Sequence, residues 1–259
     1  MAYKRNQILQ RSDLYDGYAG RWEYYIRSFL GGEEYKGGRY LQEYNLELEN
    51  EFEKRLQFTP LDNHCRNIVH IYSSFLFRVP ATRKLESLND DPSTQLFLDD
   101  ADLEGRSFDA LLREVQTYAS VYGHCWLILD KPNSNARTRA EELQQEIRPY
   151  LNIFTPENVM EWNYERAASG KYYLSYLKVR ENRTKDKDTF RLWYLDRIDT
   201  VEIERMGARD PKLIESVPNP LNTIPAVILY NQRSHDRGVG VSDLTDVADL
   251  QRSIYNELS

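Results

Sequence analysis

Four histidines, two cysteines and clustered carboxylates are the side chains best suited to catalysis or metal binding in this chain. His64-Cys65 and His124-Cys125 are two pairs whose nitrogen and sulfur atoms are zinc ligands by type. Structural zinc sites use short C-x-x-C or H-x-x-x-H spacings, and neither occurs. Two thiols in a chain with no secretion signal read as reduced. Cys65 falls on a predicted helix and Cys125 in a predicted buried strand, where cysteine behaves as a small hydrophobe. Asp90-Asp91, and Asp99-Asp100 with Asp102, could attract a cation but lack the spacing of a calcium loop, and read as a solvated face. Gly31-Gly32-Glu33-Glu34-Tyr35-Lys36-Gly37-Gly38 departs from a phosphate loop. Its lysine precedes the second glycine pair, no Ser or Thr follows, and two glutamates would repel phosphate. It reads as a turn between two helices. His64, His70, His124 and His235 have no G-x-S-x-G elbow to serve. With no complete constellation, the reading is of a non-enzyme with no cofactor and no metal.

A different class of residue stands out in the first 45 positions, where Tyr15, Tyr18, Tyr24, Tyr25, Tyr35, Tyr40 and Tyr44 gather with Arg21 and Trp22. Tyr, Trp and Arg anchor interfaces because they combine rigid area with a polar tip. Arg21, Trp22, Tyr25 and Tyr40 are therefore candidate subunit contacts, against the equally open reading that these tyrosines cap the protein's own core. Gln232-Arg233-Ser234-His235-Asp236-Arg237 forms a polar loop. Its Arg233, His235 and Arg237 are candidates for facing DNA or a neighbouring subunit, the alternative being ordinary solvated side chains.

The elements that must position these residues are set by periodicity. Leu48, Phe52 and Leu56, then Ile68, Ile71, Tyr72, Phe75 and Leu76, recur at helical spacing either side of Thr59-Pro60, and Pro80 ends the second helix. Leu85 to Gly105 is acidic, turn-rich and expected at the surface. Ser107 caps a helix bearing Phe108, Leu111, Leu112, Val115, Tyr118 and Ala119 that ends at Gly123. His124 to Asp130 reads as a strand, and 133–146 as a loop and short helix. Tyr150 to Phe154, Tyr172 to Arg180, Phe190 to Leu195, Thr200 to Arg205 and Ile224 to Tyr230 read as a mostly antiparallel sheet, with a charged turn over 181–188. Ser242 reads as the cap of a long helix carrying Leu244, Val247, Leu250, Ile254 and Leu258 on one face. No stop signal comes after it, so the chain is expected to continue. The fold class is α+β: a mainly helical 1–148, a β-rich 149–231, and a loop and helix start over 232–259.

Composition bounds the possible roles. The chain has 259 residues, 41% hydrophobic and 29% charged, enough for a substantial core. Its apolar runs fall far short of the about 20 residues that span a bilayer, so no membrane partner is expected. The polar N-terminus lacks the apolar centre of a signal peptide. A formal net charge of -7 argues against tight or sequence-specific nucleic-acid binding, which rests on Lys and Arg neutralising phosphates. It does not argue against contact with moving DNA, for which strong phosphate contacts would have to break at each step.

Three stretches together resemble one family. Arg21-Trp22 with Tyr24-Tyr25, Tyr35-Lys36-Gly37-Gly38-Arg39-Tyr40-Leu41, Glu47, Phe52, Lys54-Arg55-Leu56, and Asn63 ahead of an apolar helix ending Leu76-Phe77-Arg78-Val79-Pro80 form the first. Val121 to Pro132 and Arg148-Pro149-Tyr150-Leu151 through Pro156-Glu157-Asn158-Val159-Met160 form the second. Ile224 to Asn231 followed by G-x-S-D-L-x-D and L-x-x-x-Y-N, up to Ser259, forms the third. In order and spacing these resemble the portal proteins of tailed bacteriophages. The resemblance implies wing, stem and clip regions, with the stretch from Tyr150 to Tyr230 in wing or clip and the helix after Ser242 in stem or wing. It also implies a homo-oligomeric ring, a dodecamer, at a virion capsid vertex assembled in the host cytoplasm. Terminase, head-completion or adaptor proteins and the major capsid protein would be its partners, with double-stranded DNA passing non-specifically. Two other readings stay open: an assembly adaptor or scaffold binding through the Tyr-rich N-terminus, and a nucleic-acid enzyme using Asp99 and Asp102 with a divalent metal.

Overall fold

The computed structural model describes residues 3–132, 136, 138–207 and 209–259. Helices come first in chain order: α1 (Arg5–Leu9), α2 (Asp13–Leu30), α3 (Gly32–Gly37), α4 (Glu49–Phe58), α5 (His64–Leu76), α6 (Pro92–Asp99) and α7 (Phe108–Tyr122). Then come β1 (His124–Asp130), α8 (Arg139–Gln144), β2 (Tyr150–Phe154), β3 (Val159–Arg166), β4 (Tyr172–Arg183), β5 (Lys187–Tyr194), β6 (Arg197–Glu204) and β7 (Lys212–Pro218). β8 (Ala226–Tyr230), β9 (Gln232–Arg233), β10 (Gly240–Val241) and α9 (Val247–Glu257) complete the chain. Residues 133–135 and 137, within the loop expected over 133–146, lie outside the described residues. The fold is α+β. Its strands form a five-stranded antiparallel meander β3-β4-β5-β6-β7, a three-stranded sheet β2-β1-β8 and the pair β10-β9.

Contacts divide the chain into two compact units, and neither is a continuous segment. Residues 1–19, 126–130 and 152–228 form one, and 20–125, 131–151 and 229–259 the other. The expected segments 1–148, 149–231 and 232–259 describe the order of elements along the chain, which the units regroup.

In the first unit the inner strands β4 and β5 bury successive residues such as Leu177, Lys178 and Val179, so they are covered on both faces. Cross-strand register aligns Lys178, Leu192 and Asp199 on one face, and the N-terminal segment lies over it. Lys178 is fully buried, yet its Nζ donates to the carbonyls of Gln7 (3.1 Å) and Gln10 (2.6 Å) and pairs with Glu161 at 2.7 Å. Those carbonyls end α1, where the helix dipole favours a cation. Asp199 accepts from Ser216 Oγ (2.5 Å), Arg197 Nε (3.1 Å) and the Tyr3 hydroxyl. Burial alone would raise its pKa, but these donors outweigh it and hold the carboxyl below the usual range. On the opposite face Trp162 stands 6.0 Å from Trp126 of β1, ring to ring.

The second unit is helical around Tyr35, Leu41, Phe52, Leu56 and Tyr255, with Tyr40 and Leu61 packed at its edge. Gln251 is 1% exposed. Its Oε1 accepts from Cys65 N (2.9 Å) in the first turn of α5, and its Nε2 donates to Ser28 O (3.1 Å) in α2. First-turn amides have no partner within their own helix, so this side chain satisfies a group that would otherwise be stranded.

Several expectations require correction. The Gly31 to Gly38 stretch is not a bare turn, because Gly32–Gly37 winds into α3 with Tyr35 buried. α5 ends at Leu76, ahead of Pro80. The charged turn over 181–188 shrinks to 184–186, because Asn182-Arg183 and Asp188-Thr189 remain paired. Within the stretch of 85–105 expected at the surface, Ala101 and Asp102 are buried. The last helix opens at Val247 rather than near Ser242 and spans 11 residues. Leu244, Ala248, Gln251 and Tyr255 are buried, whereas Leu250 and Leu258 face outward.

Candidate functional site

The polar loop singled out from sequence is the tip of a small hairpin, whose base is a backbone clasp within the helical unit. Strand β8 leads into it and α7 lies behind it. Gly123 ends α7 in the left-handed region, φ +93°, where glycine carries no steric cost. A Cβ placed on Gly240 would lie 1.9 Å from the Gly123 carbonyl oxygen, and one on Gly123 would lie 2.4 Å from that of Gly240. The two backbones touch only because neither residue has a side chain.

Hydrogen bonds close the clasp around that contact. Gly240 N donates to His124 Nδ1 (3.2 Å) and Asn231 N to the Gly123 carbonyl (2.9 Å). Ser242 Oγ stands 3.0 Å from Ser120 O and 2.5 Å from Val121 O, so it satisfies last-turn carbonyls of α7. Asp243 N also donates to Ser120 O (3.0 Å), and Asn231 Nδ2 to Asp243 Oδ1 (2.7 Å). The Asn…G-x-S-D-L pattern is thus a structural lock. His124 is fully buried against Trp22 and Tyr230, with ring centroids 5.8 and 6.3 Å away. Desolvation pulls its pKa down to about 3, so it is neutral and accepts through Nδ1.

From this base Arg233, His235 and Arg237 project into solvent. Arg233 sits over the Tyr230 ring at 5.2 Å, His235 stands 3.3 Å from Asp236, and Ser234 Oγ ties the tip through Asp236 O and Val239 O. The hairpin is a small basic projection on a rigid mount. It brings no nucleophile and base together.

The candidate subunit contacts separate. Trp22 (1% exposed) and Tyr25 (9%) belong to the core of their own chain and have no surface to offer a neighbour. Tyr40 is half-buried against Tyr24 and Tyr35, with ring centroids 4.8 and 4.9 Å away. Arg21 alone of the four is exposed. Trp22 and the tyrosines are amphipathic, so sequence does not tell an interface from a core with polar tips.

The surface that does look unfinished lies on α5 and just beyond it. Cys65, Val69 and Ser73 point inward, while Ile71, Tyr72, Phe75, Leu76 and Val79 are between 54% and 74% exposed. Helical spacing places Ile71, Tyr72, Phe75 and Leu76 along one flank of α5, with Val79 just beyond its end, and an exposed apolar patch is a candidate interaction surface. Periodicity alone assigns Ile71, Tyr72, Phe75 and Leu76 to the core. The signal that separates the faces is that Cys65, Val69 and Ser73 form a complete stripe of their own.

Two of the acidic residues are engaged with arginines, and Asp91 caps α6 by accepting from Thr94 N at 3.1 Å. Asp102 pairs with Arg106, and Asp100 with Arg148 at 2.5 Å. Among the described residues no group of three His, Cys, Asp or Glu is placed to hold a metal ion, and no helix is long and apolar enough to cross a membrane. No family model matches the chain, and no curated protein matches it.

Proposed function

We propose that this chain is a structural subunit of a phage portal ring, the DNA conduit at a capsid vertex, and that it acts by geometry rather than catalysis. The observation that carries this reading is the exposed apolar flank of α5 and its extension through Val79. A closed ring needs two unlike, complementary surfaces on each subunit, and this flank has the character of one of them. The order of the three resembling stretches supports another copy of the chain as the occupant. Under this reading the basic hairpin on the glycine clasp faces DNA or the adjoining subunit. The overall charge of -7 suits a conduit that does not grip its cargo. Terminase, head-completion and capsid proteins would dock on the ring so formed, within the virion.

Native mass spectrometry with negative-stain imaging of the purified chain tests this. The expected particle is a ring of about a dozen copies that Phe75→Glu converts to monomer, since a buried unpaired carboxylate opposes association. Assembly of the parent chain into anything other than a closed ring, or a ring unchanged by Phe75→Glu, refutes the assignment.

A further inference from the structure

The meander carries a second feature, independent of the ring reading and contained within the unit formed by residues 1–19, 126–130 and 152–228. Arg180 and Arg183 are three apart, which in a regular strand would place them on opposite faces. The register shift between Arg180 and Asn182 inserts one extra residue, and a bulge of this kind re-aims the side chains beyond it. Arg180 opposite Phe190 and Arg183 opposite Asp188 therefore share a face. Arg205 extends the row beyond Ile203 at the end of β6, and the N-terminal segment brings Arg5 and Arg11 over it. Together these side chains line an open cavity of about 230 Å³.

Five guanidinium groups meet two carboxylates there, Asp188 and Glu204, in a chain whose net charge is negative. Most of their bonds go to neutral acceptors. Arg5 donates to Glu204 O at 2.9 Å, Arg180 to Asn158 Oδ1 at 3.1 Å, and Arg205 to Thr184 O at 3.2 Å. Such bonds orient a guanidinium without cancelling its charge. Arg205 Nε is 3.9 Å from Asp188 Oδ1, and Arg11 is 3.7 Å from Asp16. Arg183 makes no side-chain hydrogen bond or ion pair among the described residues. Desolvation first, and the like charges of Arg183 and Arg11 after it, lower the pKa of Arg180 despite the opposing pull of Tyr15 and Asp188. The cavity holds uncompensated positive charge that an anion would relieve.

We propose that this cavity binds a small multivalent phosphoryl anion, of the pyrophosphate or nucleoside-diphosphate class, with Arg180 and Arg183 as its principal ligands. Guanidinium forks match phosphoryl oxygens two at a time. The excess of three positive charges favours a diphosphate over a single monoanion.

Isothermal titration of the whole chain with sodium pyrophosphate, orthophosphate, ADP and adenosine at fixed ionic strength tests the site. Pyrophosphate is expected to bind saturably and more tightly than orthophosphate, and adenosine to give no heat. Arg183→Gln should weaken pyrophosphate about tenfold, equivalent to about 1.4 kcal/mol, and leave the melting temperature of the free protein unchanged because the Arg183 side chain bonds to no described residue. ADP binding as tightly as pyrophosphate supports the site with a nucleotide as source, and ADP binding weakly supports it with the free anion as source. No saturable heat with pyrophosphate, an equal loss on the exposed control Arg78→Gln in the helical unit, or duplex-DNA binding that pyrophosphate does not displace, each overturns the proposal.

Discussion

Replacing Gly240 with alanine tests the clasp most directly, because the contact is between two backbones and no side chain can move aside. The new Cβ would start 1.9 Å from the Gly123 carbonyl oxygen and 3.1 Å from that of Gln232. Relief requires the two segments to separate by about 1.5 Å or more, to reach ordinary contact distance. That movement breaks the bonds from Gly240 N to His124 Nδ1 and from Asn231 N to Gly123 O, and stretches that from Ser242 Oγ to Ser120 O. At about 1 kcal/mol net for each bond, with a further cost for buried groups left unpaired, the loss is about 3–4 kcal/mol. Gly20→Ala is the control. Gly20 lies exposed on α2 with nothing within 4 Å of an added Cβ, and removing glycine from a helix interior stabilises by about 0.5–1 kcal/mol. Urea unfolding followed by circular dichroism gives both values, and hydrogen exchange at the Asn231 amide reports on the clasp itself. If Gly240→Ala falls within about 1 kcal/mol of the parent and the Asn231 amide stays protected, the clasp does not hold the hairpin.

Gln251→Ala should cost about 2–4 kcal/mol in urea unfolding, since it strands the Cys65 amide and the Ser28 carbonyl and leaves a cavity; a loss under about 1 kcal/mol would mean those groups find other partners. His124 has a folded pKa of about 3 against about 6.5 when unfolded, so between these values the unfolded chain binds the extra proton. Stability should therefore fall as pH drops through that window, by up to about 1.4 kcal/mol per pH unit from this group, and a His124→Gln variant with an undiminished slope between about pH 6.5 and 4.5 would contradict it. Phe75→Glu should abolish assembly while shifting the monomer's unfolding free energy by under about 0.5 kcal/mol, as expected of an exposed site; a larger shift would place Phe75 in the core.

Local signals make much of the fold legible. Ser107 accepts from Ala110 N and Gly123 closes the same helix in the left-handed region, both at the ends of the element they delimit. β1 and β2 have the bounds their β-branched and aromatic residues predict. β3 and β7 escape such a reading for opposite reasons. In β3 the charged end of its eight residues masks a buried start at Val159-Met160. β7 is an edge strand, almost wholly exposed, so it shows no apolar alternation. The phosphoryl-anion cavity is out of reach because it depends on a bulge, and a one-residue register shift leaves no mark in composition.

Ser242 shows where reading a sequence one element at a time fails. A serine followed by an aspartate and an amphipathic run is the pattern of a helix N-cap, and its oxygen does accept from Leu244 N at 2.9 Å. Yet the helix opens only at Val247, and the hydroxyl proton is directed at the carbonyls that end α7, brought beside it by the Gly123–Gly240 contact. Its residue type points correctly to satisfaction of stranded backbone groups at a helix end. The helix is a different one, because the end within reach is decided by two glycines far apart in the chain. The tyrosines of α2 and α3 are a parallel case. Their residue type specifies a large ring with a polar tip, and it is α9, distant in sequence, that accepts the Tyr24 hydroxyl at Ala248 O (2.7 Å) and sets Tyr255 against Tyr35 at 5.2 Å, while the flank of α5 stays exposed.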